Sequence, residues 1–161
     1  MTTHPDGRTV GYRSARTLPV RVELERAHER FVTVIDGLDT AVHVADVQSG
    51  EILFANRAFQ NIFGLDTVGR DSATVTAACR PPPEALDRDP ASLDAADLPC
   101  EIFDGEIQHA LSGHWYHLHE RAIRWVDGRT VRVQLAADIT DRKHIDEVNL
   151  QQQKRLEQTS R

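Results

Sequence analysis

Four of the chain's eight histidines, His109, His114, His117 and His119, fall within eleven consecutive residues, with Cys100 and Glu101 just upstream. Imidazole and thiolate suit zinc, iron, copper or nickel. His117 and His119 stand two apart in a run that reads as a strand. Their side chains therefore share one face, a workable chelating spacing. Cys100, His114, His117 and His119 are the metal-ligand candidates. The competing reading is a half-exposed strand that carries histidines among Glu120, Arg121 and Arg124, since short motif matches often arise without function. No Gly-x-Ser-x-Gly, phosphate loop or His-Glu-x-x-His run occurs, and the Asp/Glu pairs read as surface charge. The chemistry on offer is binding, and the expectation is that the chain is not an enzyme.

The elements that must position these groups can be read from punctuation and periodicity. With 161 residues and 40% hydrophobic content, the chain is one domain with extensions. Residues 1–18 are polar and carry Pro5, Gly7 and Gly11, which predicts a disordered or extended N-terminus. Pro19 can open a helix over 19–38. Within it Val20, Leu24, Ala27, Phe31, Val34 and Leu38 recur at alternating spacings of four and three, a heptad seam. Such a stripe packs either on its own domain or on a second copy, and a homodimer is expected. Gly37 marks the helix end. Residues 40–46 and 51–55 read as a β-hairpin around Gln48-Ser49-Gly50. Asn56 then caps a short helix with Ala58, Phe59, Ile62 and Phe63 on its buried stripe, and Gly64 stops it. Residues 113–125 and 129–137 form two long strands joined at Asp127-Gly128. Residues 140–161 read as a polar helix with Ile145, Val148 and Leu156 as its main apolar residues, capped by Thr140 or Asp141.

Composition excludes several classes. A net charge of −6 argues against nonspecific nucleic-acid binding, which needs clustered positive charge. No apolar run approaches the roughly 20 residues that span a bilayer, and the N-terminus lacks the regions of a signal peptide. Two cysteines outside any Cys-x-x-Cys pair suit a reducing cytoplasm.

A strand, a Gly turn, a strand ending at Asn56, and an aromatic three residues later at Phe59 resemble the first half of a PAS domain. Asp138-Ile139-Thr140-Asp141-Arg142-Lys143 resembles the boundary at which PAS domains pass into an output helix. The resemblance covers residues 22–145. It implies an α+β fold: a five-stranded antiparallel sheet over residues 39–139, short helices over one face, and flanking N- and C-terminal helices. It also implies a sensory domain. A small molecule or metal would bind between sheet and helices, and Asp138 and Thr140 would pass the change to a C-terminal signalling helix. That helix would lead to an effector of kinase or nucleotide cyclase type. A ligand-free dimerisation module is the alternative. Flavin-binding members carry Asn-Cys-Arg-Phe-Leu-Gln, whereas this chain has Ala78-Cys79-Arg80-Pro81, so a flavin adduct is disfavoured. Haem ligated by a histidine on the long helix is disfavoured too, because no histidine lies between His43 and His109. The cofactor is left undetermined, with a transition metal as one option. Within the run 65–99, Pro81-Pro82-Pro83 forbids a continuous helix.

Strand parity assigns the faces. A two-residue turn at Asp127-Gly128 pairs Val126 with Arg129 and sets Leu118, Glu120, Ala122 and Arg124 opposite the apolar set Val131, Val133, Leu135 and Ala137. His117 and His119 then lie on the far face. A three-residue turn with a bulge would reverse that parity and send both histidines into the pocket. In the two-residue register the ligand pocket is expected to be lined by Phe54, Phe63, Phe103, Tyr116, Leu118, Glu120, Arg124 and Val133.

Overall fold

Apolar alternation at the two ends of the chain folds into one antiparallel sheet. A computed structural model describes residues 17–86, 88–94 and 96–159, with side chains from residue 21 onward. The chain separates into two units, residues 1–34 and 35–161. The first holds most of helix α1 (Thr17–Asp36). The expected disordered or extended N-terminus lies largely outside the described residues, and so does the Val20 side chain. Leu24, Phe31 and Val34 are exposed on α1. Leu38 lies beyond the helix end, so the helical part of that spacing stops at Val34.

The second unit is α+β. Strands β1 (Ala41–Asp46), β2 (Ile52–Ala55), β3 (Cys100–Gln108), β4 (Trp115–Arg124) and β5 (Thr130–Asp138) lie in the order β2-β1-β5-β4-β3. Every neighbouring pair is antiparallel. The first and last strands are therefore central partners. Between β2 and β3 the chain makes α2 (Arg57–Phe63), α3 (Ser72–Val75) and 3-10 turns at Ala77–Cys79, Pro83–Ala85 and Pro90–Ser92. The proline run blocks a longer helix there, since proline supplies no N–H to the helical ladder. Helix α4 (Thr140–Thr159) follows β5 directly.

Local chemistry sets the turns. Asp46 closes the first hairpin, its Oδ1 accepting from the Gln48 and Ser49 amides at 2.8 and 2.7 Å. Gly50 sits at φ +75°, and a Cβ there would come within 2.7 Å of Asp71 Oδ1, so only glycine fits without a shift. The core joins Ile52 and Ala55 to Phe59, Cys79, Phe103, Tyr116, Leu118 and Ala136. Burial raises the Cys79 thiol to about 11, which keeps it protonated and unreactive.

The β4–β5 hairpin departs from the expected register. Trp125 N donates to Arg129 O at 2.8 Å and Gly128 N to Trp125 O at 3.0 Å. The loop is thus Val126-Asp127-Gly128, three residues, with Gly128 at φ +89°. Asp127 favours this form by accepting from the Arg129 amide and pairing with its guanidinium at 2.7 Å. Leu118, Glu120, Ala122 and Arg124 then face Ala136, Gln134, Arg132 and Thr130. The apolar set Val131, Val133, Leu135 and Ala137 lies instead on the outer face, opposite Ile123, Arg121, His119 and His117.

Candidate functional site

The inner face of the sheet carries a row of polar side chains in an otherwise apolar core. His43, Gln134 and Glu120 stand opposite one another across β1, β5 and β4, with the apolar Phe103 of β3 next in line. His43 is 1% exposed and packs on the Phe59 ring at 4.6 Å. Burial, aided by the nearby Arg132 charge, lowers its pKa to about 3, so it is neutral at physiological pH. Its Nε2 lies 3.2 Å from Ser72 Oγ, which also accepts from Arg132 Nη2 at 3.1 Å. Glu120 is 2% exposed and accepts from Gln134 Nε2 through Oε1.

This row is incompletely satisfied. Among the described residues, His43 Nδ1, Glu120 Oε2 and Arg132 Nε on these strands are buried without a hydrogen-bond partner. Buried polar atoms are paired in the great majority of cases, and leaving one unpaired costs roughly 1–3 kcal/mol. A group of such atoms on one face is an arrangement that a bound polar molecule would complete.

Arg132 also opens into a cavity of about 600 Å³. Its walls are Val47, Arg80, Pro83, Leu86, Arg88, Asp89, Pro90, Ala91 and Arg132. The proline-rich run forms one wall and β5 another. Three arginines and one aspartate line the cavity, and even with Arg88 paired to Asp97 at 3.8 Å the excess of positive charge favours an anion. Its volume falls in the range of small-molecule sites, about 300–1,000 Å³.

At the opposite end of β5 lies the junction with α4. Asp138 Oδ1 accepts from the Thr140 amide at 2.8 Å and from its hydroxyl at 2.5 Å. Thr140 Oγ1 accepts from Trp115 N at 3.0 Å, and Ile139 N donates to Trp115 O at 2.8 Å. His114 Nδ1 lies 3.3 Å from Asp138 Oδ2. Partial burial opposes charge on Asp138. The bonds from Thr140 and His114 outweigh it and hold the carboxyl below its usual range. Arg142 and Lys143 both reach Glu106 of β3, and the Lys143 ammonium sits 4.7 Å from the Trp115 ring centre. A second cavity of about 580 Å³ borders this junction, with His114, Tyr116, Ala136 and Asp138 in its wall.

The expected pocket residues divide between the faces. Phe63, Phe103, Tyr116 and Leu118 belong to or pack on the core, and Glu120 joins the polar row. Phe54 pairs with Val44, and Val133 with Arg121, which puts both on the outer face. Arg124 has inner parity but is exposed at the strand end. His43, Ser72, Arg132 and Gln134 are not among the expected pocket residues. The signal for the last two is the polar alternate set within β5. The metal candidates separate as well. Cys100 has inner parity opposite Ala122, and His114 faces Asp138. His117 and His119 lie on the outer face, where they meet Asp104 and Glu101.

Residues 29–97 match the family model described as PAS domain. Among solved structures, the chain is similar to the PAS domain of an HTR-like protein from Haloarcula marismortui, at 15% identity and a TM-score of 0.47, over 76% of this chain and 99% of that one. It is similar to the PAS domain of nitrogen regulation protein NR(II) from Vibrio parahaemolyticus, at 15% identity and 0.47, over 65% and 94%. It is also similar to the PAS domain of BvgS from Bordetella pertussis, at 20% identity and 0.47, over 81% and 98%. A comparison with curated proteins gives no match.

Proposed function

The chain belongs to the PAS domain family, and from that premise we propose that it is a cytoplasmic sensory module that binds a small anionic molecule at Arg132 and signals through α4. It acts by binding, without catalysing a reaction. The observation that carries this reading is the cavity of about 600 Å³ with Arg80, Arg88 and Arg132 in its wall, continuous through Ser72 with the half-satisfied polar row. A carboxylate or phosphate would take paired donors from guanidiniums, whose planar fork fits such groups.

Arg132 and Asp138 stand on one strand with the same parity, about 20 Å apart at the usual strand rise. A ligand drawing on Arg132 would alter the seating of β5 against β4, and Trp115 of β4 holds the start of α4. Signalling requires that the ligand bind two arrangements of this junction unequally. The output would be an effector domain or partner of kinase or nucleotide cyclase type. The exposed Leu24, Phe31 and Val34 of α1 support a homodimer through that stripe. Leu24→Asp with Phe31→Asp should then halve the sedimenting mass, and an unchanged mass rejects the seam.

Native mass spectrometry and thermal melts with succinate and inorganic phosphate test the binding reading. A ligand at a hundredfold excess over its Kd should stabilise the wild type by about 2.7 kcal/mol. Arg132→Met and the exposed-wall variant Arg88→Gln should both weaken that shift. No co-purifying molecule and no response to either anion would leave the empty dimerisation module as the better account.

A further inference from the structure

The outer face of β3 and β4 carries a second group of ligating side chains, remote in parity from the Arg132 cavity. Glu101 Oε2 lies 3.7 Å and Asp104 Oδ2 lies 3.8 Å from His119 Nδ1. One ligand atom from each of these three residues lies within 4.8 Å of the other two. We infer that Glu101, Asp104 and His119 form a binding site for a divalent first-row transition metal of the zinc, nickel or copper class, with His117 orienting Asp104.

Four observations converge on this assignment. The separations are too long for hydrogen bonds, which end near about 3.2 Å for N–H···O. They are close to a coordination edge: bonds of about 2.0–2.2 Å set tetrahedral neighbours about 3.3–3.6 Å apart. A single imidazole N–H also cannot serve two carboxylates at once, whereas a shared cation can.

The backbone is arranged to make the group. Glu101 and Asp104 are three residues apart, and a regular strand would send them to opposite faces. The irregularity between Glu101 and Phe103 inserts one extra residue, which returns both carboxylates to the face that carries His119.

His117 supplies the outer shell. Its Nε2 bonds Asp104 Oδ1, which leaves Oδ2 directed at His119. Metal-bound carboxylates are typically held by such a second partner.

The donor set selects the metal class. Magnesium and calcium prefer all-oxygen shells, while an imidazole nitrogen with carboxylates suits zinc, nickel or copper. Glu106, opposite His117 on the same face, holds Arg142 and Lys143 of α4. A metal here would brace β3 and β4 beside the anchor of the output helix.

Calorimetric titration of zinc chloride into the EDTA-stripped full chain tests the site. One zinc per chain is expected. Glu101→Gln with His119→Gln should weaken binding at least a hundredfold, and His117→Gln by about 10–100-fold. His28→Gln on α1 should change nothing. Matching melts in EDTA check that the variants fold. Independently of any variant, zinc should shift the His117 and His119 ring resonances of the wild type before those of His28 or His144. Absence of zinc binding, undiminished affinity in the Glu101→Gln, His119→Gln variant, or first shifts at His28 or His144 would overturn the assignment.

Discussion

Two strand-to-helix junctions of this chain are built to opposite ends. At the first, β2 passes into α2 through Asn56, which is fully buried. Its Oδ1 accepts from Val42 N at 2.8 Å and Phe59 N at 3.0 Å, and its Nδ2 donates to Ile35 O at 3.0 Å and Thr40 O at 2.9 Å. One amide thus caps a helix and ties it to β1 and to the end of α1, with both donors and both acceptor positions used. At the second, β5 passes into α4 through Asp138, whose side chain is 46% exposed. The ties there are short but largely exposed, and α4 has no buried residue. The first junction is a fixed staple. The second is held by polar contacts that water can replace, which makes it the more easily altered of the two.

The largest break in this comparison is Asn56→Ala. It removes a cap worth about 0.5–2 kcal/mol and strands buried partners at roughly 1–3 kcal/mol each. Denaturant unfolding should therefore lose at least about 3 kcal/mol. A loss below 1 kcal/mol would mean that Asn56 is no staple. Asp138→Ala should do far less globally, about 1 kcal/mol or under, because water can satisfy the released Thr140 groups. Its effect should be local: amides in the first turn of α4 exchange faster while those of β1 stay protected. Equal acceleration in both regions would erase the distinction between the junctions.

The parts legible in the sequence share a property: each is governed by one residue acting on its near neighbours. Asn56 as a cap, Gly64 as a stop and the Asp46–Gly50 turn all follow from local chemistry, whereas the start of α4 is held by Asp138 and not by the expected cap at Thr140 or Asp141, both of which lie inside the helix. The β4–β5 register did not. Asp-Gly favours a two-residue turn in isolation, but Arg129 adds two bonds to Asp127 that fit the three-residue loop. The face assignment failed for a related reason. Val131 is fully buried on the outer face, so apolar alternation marked that side, while the inner face of β5 carries Arg132 and Gln134. Periodicity distinguishes two faces without saying which one is inner when that face carries polar groups. His117 and His119 nonetheless lie on the far face as expected, because the whole parity of β5 reversed with the turn and that of β4 did not. The metal-type histidines were visible, but their partners Asp104 and Glu101 come together through a strand irregularity that no spacing rule reveals.

The central claim is that occupancy at Arg132 is felt at the Asp138 junction and not at the Asn56 junction. Amide hydrogen exchange of the wild-type chain with and without a saturating anion measures both at once. Exchange should change at residues 139–147 while residues 56–59 remain unaltered. Protection that changes only around the cavity, with 139–147 indifferent to the anion, would contradict it.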